Sequence, residues 1–269
     1  MGCRFLFACL FSVMLFSGCT PSTEELEYSR AEKASQANDQ EGALKHYKVV
    51  VDRFVQTDLA LKSAKEAARI SHYELKRYPE AIGFYKHIIL YSPTASDRVE
   101  AQKKLADLHF NQTLDYKQAI VEYSRLLELP HSPKDDLDYR LNIARAYFYL
   151  NNFYQARVEI DTIISRGSDK DMLFEAMLLK ANIFLTTKQL DDAILALGEL
   201  MTKYPERSKT ETIGLILAVT YEEQKNFAKA IETLEAIKDI YPRKAFIEQK
   251  IKTLRERQSY LPGARGFRK

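Results

Sequence analysis

The sequence predicts an all-α chain, an α-solenoid of about six helix pairs closed by a C-terminal capping helix. Three observations predict it. The 269 residues are 46% hydrophobic and 29% charged but hold only nine Gly and eight Pro, a helix-forming composition with too few turn residues for a β-rich architecture. One apolar pattern returns six times along the chain. Proline and paired polar residues then punctuate the sequence in step with it.

Each unit carries an Ala, a large apolar residue four positions later and an aliphatic three positions after that. The sets are Ala43-Tyr47-Val50, Ala81-Tyr85-Ile88, Ala119-Tyr123-Leu126, Ala156-Ile160-Ile163, Ala193-Leu197-Leu200 and Ala230-Leu234-Ile237. Successive alanines stand 38, 38, 37, 37 and 37 residues apart. Steps of i+4 and i+7 fall on one helix face, so each set predicts the buried stripe of one helix. A second helix precedes it: Ala144 and Tyr147 lie twelve and nine residues before Ala156, and Ala181 with Phe184 and Ala218 with Tyr221 repeat that spacing. Asn151-Asn152 and Lys225-Asn226 mark the turns within pairs, and Tyr204-Pro205 and Tyr241-Pro242 close their units, because proline cannot continue a helix. The array spans residues 26–242. Residues 243–259 supply the cap, with Phe246, Ile247, Ile251 and Leu254 turned inward. Residues 260–269 form a basic, flexible tail. From Arg243 onward nine Lys or Arg face only Glu248 and Glu256, which fits either a solvated cap or docking onto an acidic partner.

Small residue, aromatic, alanine, aromatic and proline at these offsets resemble the tetratricopeptide repeat, over roughly residues 24–242. That resemblance implies a right-handed solenoid in which the first helix of each pair lines a concave groove for protein segments. Mapped by phase, the groove takes Arg69, His72 and Tyr73 from the second repeat and Asp107, Phe110 and Asn111 from the third. Arg145, Phe148 and Tyr149 come from the fourth repeat and Asn182 from the fifth. Aromatic and Arg side chains are the composition of interface hot spots. Tyr28 and Glu32 stand where the family's clamp for C-terminal carboxylates needs Lys and Asn, so that clamp is not implied.

The N-terminus follows a different grammar. Arg4 precedes an apolar run from Phe5 to Phe16, and small Ser17-Gly18 precede Cys19. Twelve residues span about 18 Å as a helix, short of a ~30 Å hydrocarbon core, so residues 1–18 read as a secretory signal peptide. The stretch LFSGC resembles a bacterial lipobox, with Phe16 where Leu is usual. It implies lipidation of Cys19, with residues 19–25 as lipidated cysteine and short tether. Cys3 and Cys9 leave with the signal, so no intramolecular disulfide or cysteine metal site is expected. Thr20 after the cysteine, rather than Asp, implies the outer membrane, with the chain facing the periplasm.

No Gly-rich phosphate loop, GxSxG elbow or HExxH pair is present, and the five histidines are scattered singly. No catalytic residue, metal or cofactor is expected, and a net charge of +3 does not suggest nucleic acid as a partner. The reading is a lipid-anchored scaffold, not an enzyme, that binds protein partners in cell-envelope assembly. It is similar to barrel-assembly lipoproteins of the BamD type, sharing the lipobox, the long repeat and Tyr-Pro closures such as that in KYPERS (residues 203–208). Alternatives are a pilotin-like escort of a secretin or type IV pilus component, and an accessory of a peptidoglycan-modifying enzyme.

Overall fold

In the computed structural model the described residues are 22–167, 169–210 and 212–260. The signal peptide, Cys19 and the tail from residue 261 lie outside them. Fourteen α-helices make up the described chain, and they form the six expected pairs and the cap. The pairs are α1 (Thr23–Gln36) with α2 (Gln40–Arg53), α3 (Asp58–Arg69) with α4 (Tyr78–Tyr91), and α5 (Ala95–Asn111) with α6 (Tyr116–Leu127). They continue as α7 (Pro133–Tyr149) with α8 (Phe153–Arg166) and α9 (Lys170–Thr186) with α10 (Leu190–Lys203). In the sixth pair the first helix is broken into α11 (Pro205–Thr210) and α12 (Ile213–Glu223), which α13 (Phe227–Ile237) accompanies; α14 (Lys244–Ser259) is the cap.

The chain divides into two compact units between Thr94 and Ala95. Pairs one and two belong to the first unit and pairs three to six to the second. The division falls at Ser92-Pro93-Thr94. Pro93 cannot donate to a continuing helix, and the Thr94 amide turns back to the Ser92 hydroxyl at 3.2 Å.

Helix starts and turns follow local chemistry. The Glu25 amide donates to Ser22 Oγ (3.2 Å) while the Ser22 amide donates to the Glu25 carboxylate (2.8 Å), a reciprocal cap. α1 therefore begins inside the segment 19–25 that sequence assigns to a tether. Within every pair the turn places one residue in the left-handed region: Asn38, Lys76, Leu114, Asn151, Lys188 and Lys225, with φ between 53° and 63°. The next residue opens the second helix. Asp39, Asp115, Asn152 and Asn226 do so with a side-chain oxygen accepting the amide three residues on.

All eighteen residues of the six repeated sets are buried. Opposite them, Ala31, Ala68, Ala106, Ala144, Ala181 and Ala218 are buried on the first helices, small enough for close helix approach. The two alanines of a pair stand twelve residues apart except in pairs two and three, where they stand thirteen apart. In pair two the extra residue is absorbed by a π-turn, Ile70–Glu74, closed by the Leu75 amide on the Ile70 carbonyl at 2.9 Å. In pair three it sits in the turn, where the amides of Gln112 and Thr113 both donate to the Leu108 carbonyl.

A second position also repeats, four residues before the first alanine of a pair and three after the second. In pair one it joins Glu27 to His46 at 2.7 Å, and in pair two buried Ala64 and Phe84 occupy it. In pair three Gln102 Nε2 donates to the buried Glu122 carboxylate at 2.5 Å, and in pair four Arg140 donates to Glu159 at 2.9 Å. In pairs five and six the occupants are Met177 with Ala196 and Gly214 with Thr233, which form no such link.

The cap buries Ile247, Ile251 and Leu254. Phe246, expected to face inward, is 45% exposed. The i, i+4, i+7 stripe from Ile247 leaves it about 100° off the buried line, beneath the Arg243 guanidinium at 5.5 Å. Much of the basic charge of the cap is taken up within the fold. Lys244 pairs with Asp239 (2.7 Å), Lys250 with Glu222 (2.6 Å), Arg255 with Glu235 (2.9 Å), and Arg257 also with Glu222.

Candidate functional site

The groove residues expected from sequence divide between the two units. Arg69, His72 and Tyr73 belong to the first. The extra residue of the π-turn displaces the end of that helix and turns His72 into the core, where its Nδ1 lies 2.9 Å from the Tyr85 hydroxyl. His72 is therefore buried rather than offered to a ligand. Tyr73 stacks on it with ring centroids 4.1 Å apart and remains 52% exposed. Arg69 holds Glu66 and Glu74, each at 3.0 Å, so its charge is spent locally.

The second unit gathers the remaining residues on its first helices. Phe110 of α5, Tyr116 of α6 and Tyr149 of α7 form one aromatic shelf. Tyr149 lies parallel to Tyr116 at 4.7 Å, and Phe110 meets both edge-on at 6.0 and 5.5 Å. Tyr149 is 53% exposed, so the shelf presents an open ring rather than a core. Phe148 meets Tyr149 edge-on at 5.8 Å and packs against the apolar core of pairs four and five and onto Phe153, also at 5.8 Å. Asn111 is exposed beside the shelf, and Asn182 is half-buried on α9.

Asp107 and Arg145 are partly committed elsewhere. The Tyr123 hydroxyl donates to Asp107 at 2.6 Å, and burial, with the carboxylate beside it, pushes the Tyr123 phenol well above its ordinary range. Arg145 donates to Glu175 of the next pair at 3.0 Å. Glu175 in turn meets Arg207, which also holds Asp171 at 2.9 Å and lies over the Phe174 ring at 4.3 Å. This ionic chain links the first helices of pairs four, five and six.

Sequence reading missed Tyr116, Glu175 and Arg207. Tyr116 was findable, since the position three residues before the second alanine is aromatic in Tyr78, Tyr116, Phe153 and Phe227. The ionic chain was not, because its members come from different pairs. The Asp135-Asp136 stretch opens α7. The Ser132 hydroxyl caps it, and Arg140 holds Asp136 at 2.9 Å. Among the described residues no group of three or more His, Cys, Asp or Glu could hold a metal ion, and no helix is long and apolar enough to cross a membrane.

The model for the tetratricopeptide repeat matches residues 175–207 and 214–243, which are pairs five and six. The chain carries tetratricopeptide repeats. Its fold is similar to that of a tetratricopeptide repeat protein from Parabacteroides merdae, at 15% identity over 88% of each chain and a TM-score of 0.52. PilW, a widely conserved type IV pilus biogenesis factor, aligns over 86% of this chain and all of its own at 13% identity and a TM-score of 0.52. A chain of the Naa15/Naa10 structure bound to HypK aligns over 87% of this chain and 39% of its own, at 16% identity and a TM-score of 0.56. No curated protein matches by sequence. At these identities the likeness is one of fold. The repeats make the chain a scaffold of the kind that binds other proteins.

Proposed function

We propose that this chain is a lipid-anchored scaffold, without catalytic activity of its own, that holds a protein segment for assembly in the cell envelope, on the periplasmic face of the outer membrane. The observation that carries the binding reading is the half-exposed Tyr149 ring stacked on Tyr116. A rigid aromatic surface loses little side-chain entropy on binding and is a favoured anchor site. The other residues assigned to the groove are Arg69, His72 and Tyr73 in the first unit and Asp107, Phe110, Asn111, Arg145, Phe148 and Asn182 in the second. The lipid reading rests on Ser17-Gly18-Cys19 after the apolar run. Tethering at a bilayer raises the effective concentration of chain and client, so modest contacts suffice.

A photo-crosslinking residue at Tyr149, with neighbours identified by mass spectrometry, tests the client. Barrel-assembly components are expected. Secretin or pilus components would instead favour the pilotin-like reading, with which the fold likeness to PilW is compatible. Cell-wall hydrolases would favour the accessory reading. Fractionation tests the anchor: Cys19→Ala should release the chain from the membrane pellet, and unchanged sedimentation would refute lipidation there.

A further inference from the structure

The second helices of pairs three, four and five turn one face to solvent, opposite their buried stripes, and its outermost positions repeat in register. Two residues past the repeated alanine stand Val121 in α6, Val158 in α8 and Leu195 in α10, successively 37 residues apart. A step of two positions is about 200° around a helix, which sets each of them opposite its buried alanine. They are 41%, 44% and 72% exposed, and Tyr154, one turn before Val158, is 76% exposed. The next equivalents, Gly83 in pair two and Glu232 in pair six, carry no large apolar side chain. The apolar row is thus confined to three helices, with α8 at its centre.

Charge on either side of this row is graded. One turn before it the three helices carry Lys117, Tyr154 and Asp191, and one turn after it Arg125, Thr162 and Glu199. Both flanking rows therefore run from a cation in pair three, through a neutral residue in pair four, to an anion in pair five. Lys117 and Asp191 enter no ion pair among the described residues, although the Gln224 amide donates to Asp191. Arg125 holds the buried Glu122 at 2.8 Å yet stays exposed, and Glu199 holds Lys203 at 2.5 Å. The charges of α8 itself face its neighbours. Arg157 lies over the Phe184 ring of α9 at 5.5 Å, Asp161 holds Lys180 at 2.8 Å, Glu159 holds Arg140 at 2.9 Å, and Arg166 lines a cavity with Asp136 of α7.

We infer that this face binds a second copy of the chain, in a symmetric dimer whose two-fold axis runs along α8. Rotation about that axis lays pair three of one copy on pair five of the other. Lys117 then meets the partner's Asp191, Val121 the partner's Leu195 and Arg125 the partner's Glu199, each twice. Tyr154 and Val158 meet their own equivalents. A two-fold axis across the helices would instead set Lys117 against the partner's Arg125 and Asp191 against the partner's Glu199, like against like. The order of signs selects the first arrangement. The three helices have 12, 14 and 14 residues, so side by side they offer roughly 600 Å² a copy, about 1,200 Å² in all, the lower range of specific interfaces. That area suits reversible association. The inference does not rest on the aromatic shelf around Tyr149.

Sedimentation velocity of the full purified chain, over about 1–200 µM, reads the dimer. Its fraction should grow with concentration, and a chain that stays monomeric throughout overturns the inference. Tyr154→Asp, at an exposed position, sets two like charges on the axis and should weaken association about tenfold or more. Lys117→Asp and Asp191→Lys, also exposed, should each weaken it about tenfold. The two together swap the signs and should return it to within about threefold of the native chain. Association unmoved by Tyr154→Asp, or a double variant no better than the weaker single one, overturns the inference. Tyr149→Ala should leave association unchanged, and its loss there would move the contact to the aromatic shelf and overturn the inference as well. A photo-crosslinking residue at Tyr154, used in the cell, identifies the occupant. The product should have twice the mass of the chain and join α8 to α8. A product with a different protein overturns the inference and leaves the client test at Tyr149 intact.

Discussion

Helix pairs three and four differ from pairs five and six at one repeating position, although all four share the same buried stripe. Gln102–Glu122 and Arg140–Glu159 bridge the helices of the earlier pairs, while Met177–Ala196 and Gly214–Thr233 leave clefts in the later ones. The difference teaches that the stripe specifies the repeat, and that a position just off it decides whether a pair is sealed or open. A sealed pair gains one polar link. An open pair gives up that link and exposes apolar surface, which is a cost unless something covers it.

If the core is equally tight in both regions, Leu126→Ala and Leu197→Ala should each destabilise the fold by about 2–5 kcal/mol, as for fully buried leucines. Chemical denaturation reads this, and a much smaller loss for Leu197 would mean the open pairs are also loosely packed. Arg140→Met converts pair four toward pair five. Alone it strands Glu159 and Asp136 and should cost about 1–2 kcal/mol. Combined with Glu159→Ala it should cost less than the two single changes summed, and strict additivity would show that the link is idle.

The other partner of Arg140, Asp136 on the same helix, should respond to acid. Burial pushes the Asp136 carboxyl up, but the hydrogen bond and charge of Arg140, with His131 beside it, hold it below its usual value overall. A carboxyl lowered in the folded state contributes stability above its unfolded value near 3.8 and loses it as pH falls through the folded value. The difference in melting temperature between the native chain and Arg140→Met should therefore shrink as the pH falls below about 4. A difference that persists there would assign the effect to packing. The smallest change concerns the turns. Leu114 holds φ 53°, which an L side chain tolerates poorly, so Leu114→Gly should stabilise by about 0.5–1 kcal/mol. Asn151→Gly, at a residue type that already tolerates this region, should stay within a few tenths of a kcal/mol.

Much of the architecture was legible without coordinates. A single i, i+4, i+7 stripe at a period of 37 or 38 located every second helix, because burial of one helix face leaves a direct imprint on residue type. The partner alanines Ala144, Ala181 and Ala218 located the first helices of pairs four to six. Phe246 was misplaced because it neighbours the cap's true stripe. His72 was expected on the open face, where an extra residue absorbed as a π-turn instead directs it into the core. That residue is visible as a spacing of thirteen, but only the hydrogen bonds show where it is absorbed. Of the candidate site, Tyr149 and Phe110 were legible by phase, whereas Tyr116 required knowing which rings meet.

By itself the sequence determined the helical class, the number of pairs and the turns at Asn151-Asn152 and Lys225-Asn226. Each of these depends on residues near one another in the chain, where periodicity and local chemistry are sufficient. Tertiary structure alone decided the boundary at Thr94, the ionic chain from Arg145 to Asp171, and which pairs are sealed. Those depend on side chains from separate helices meeting in space, and no local pattern encodes such a meeting.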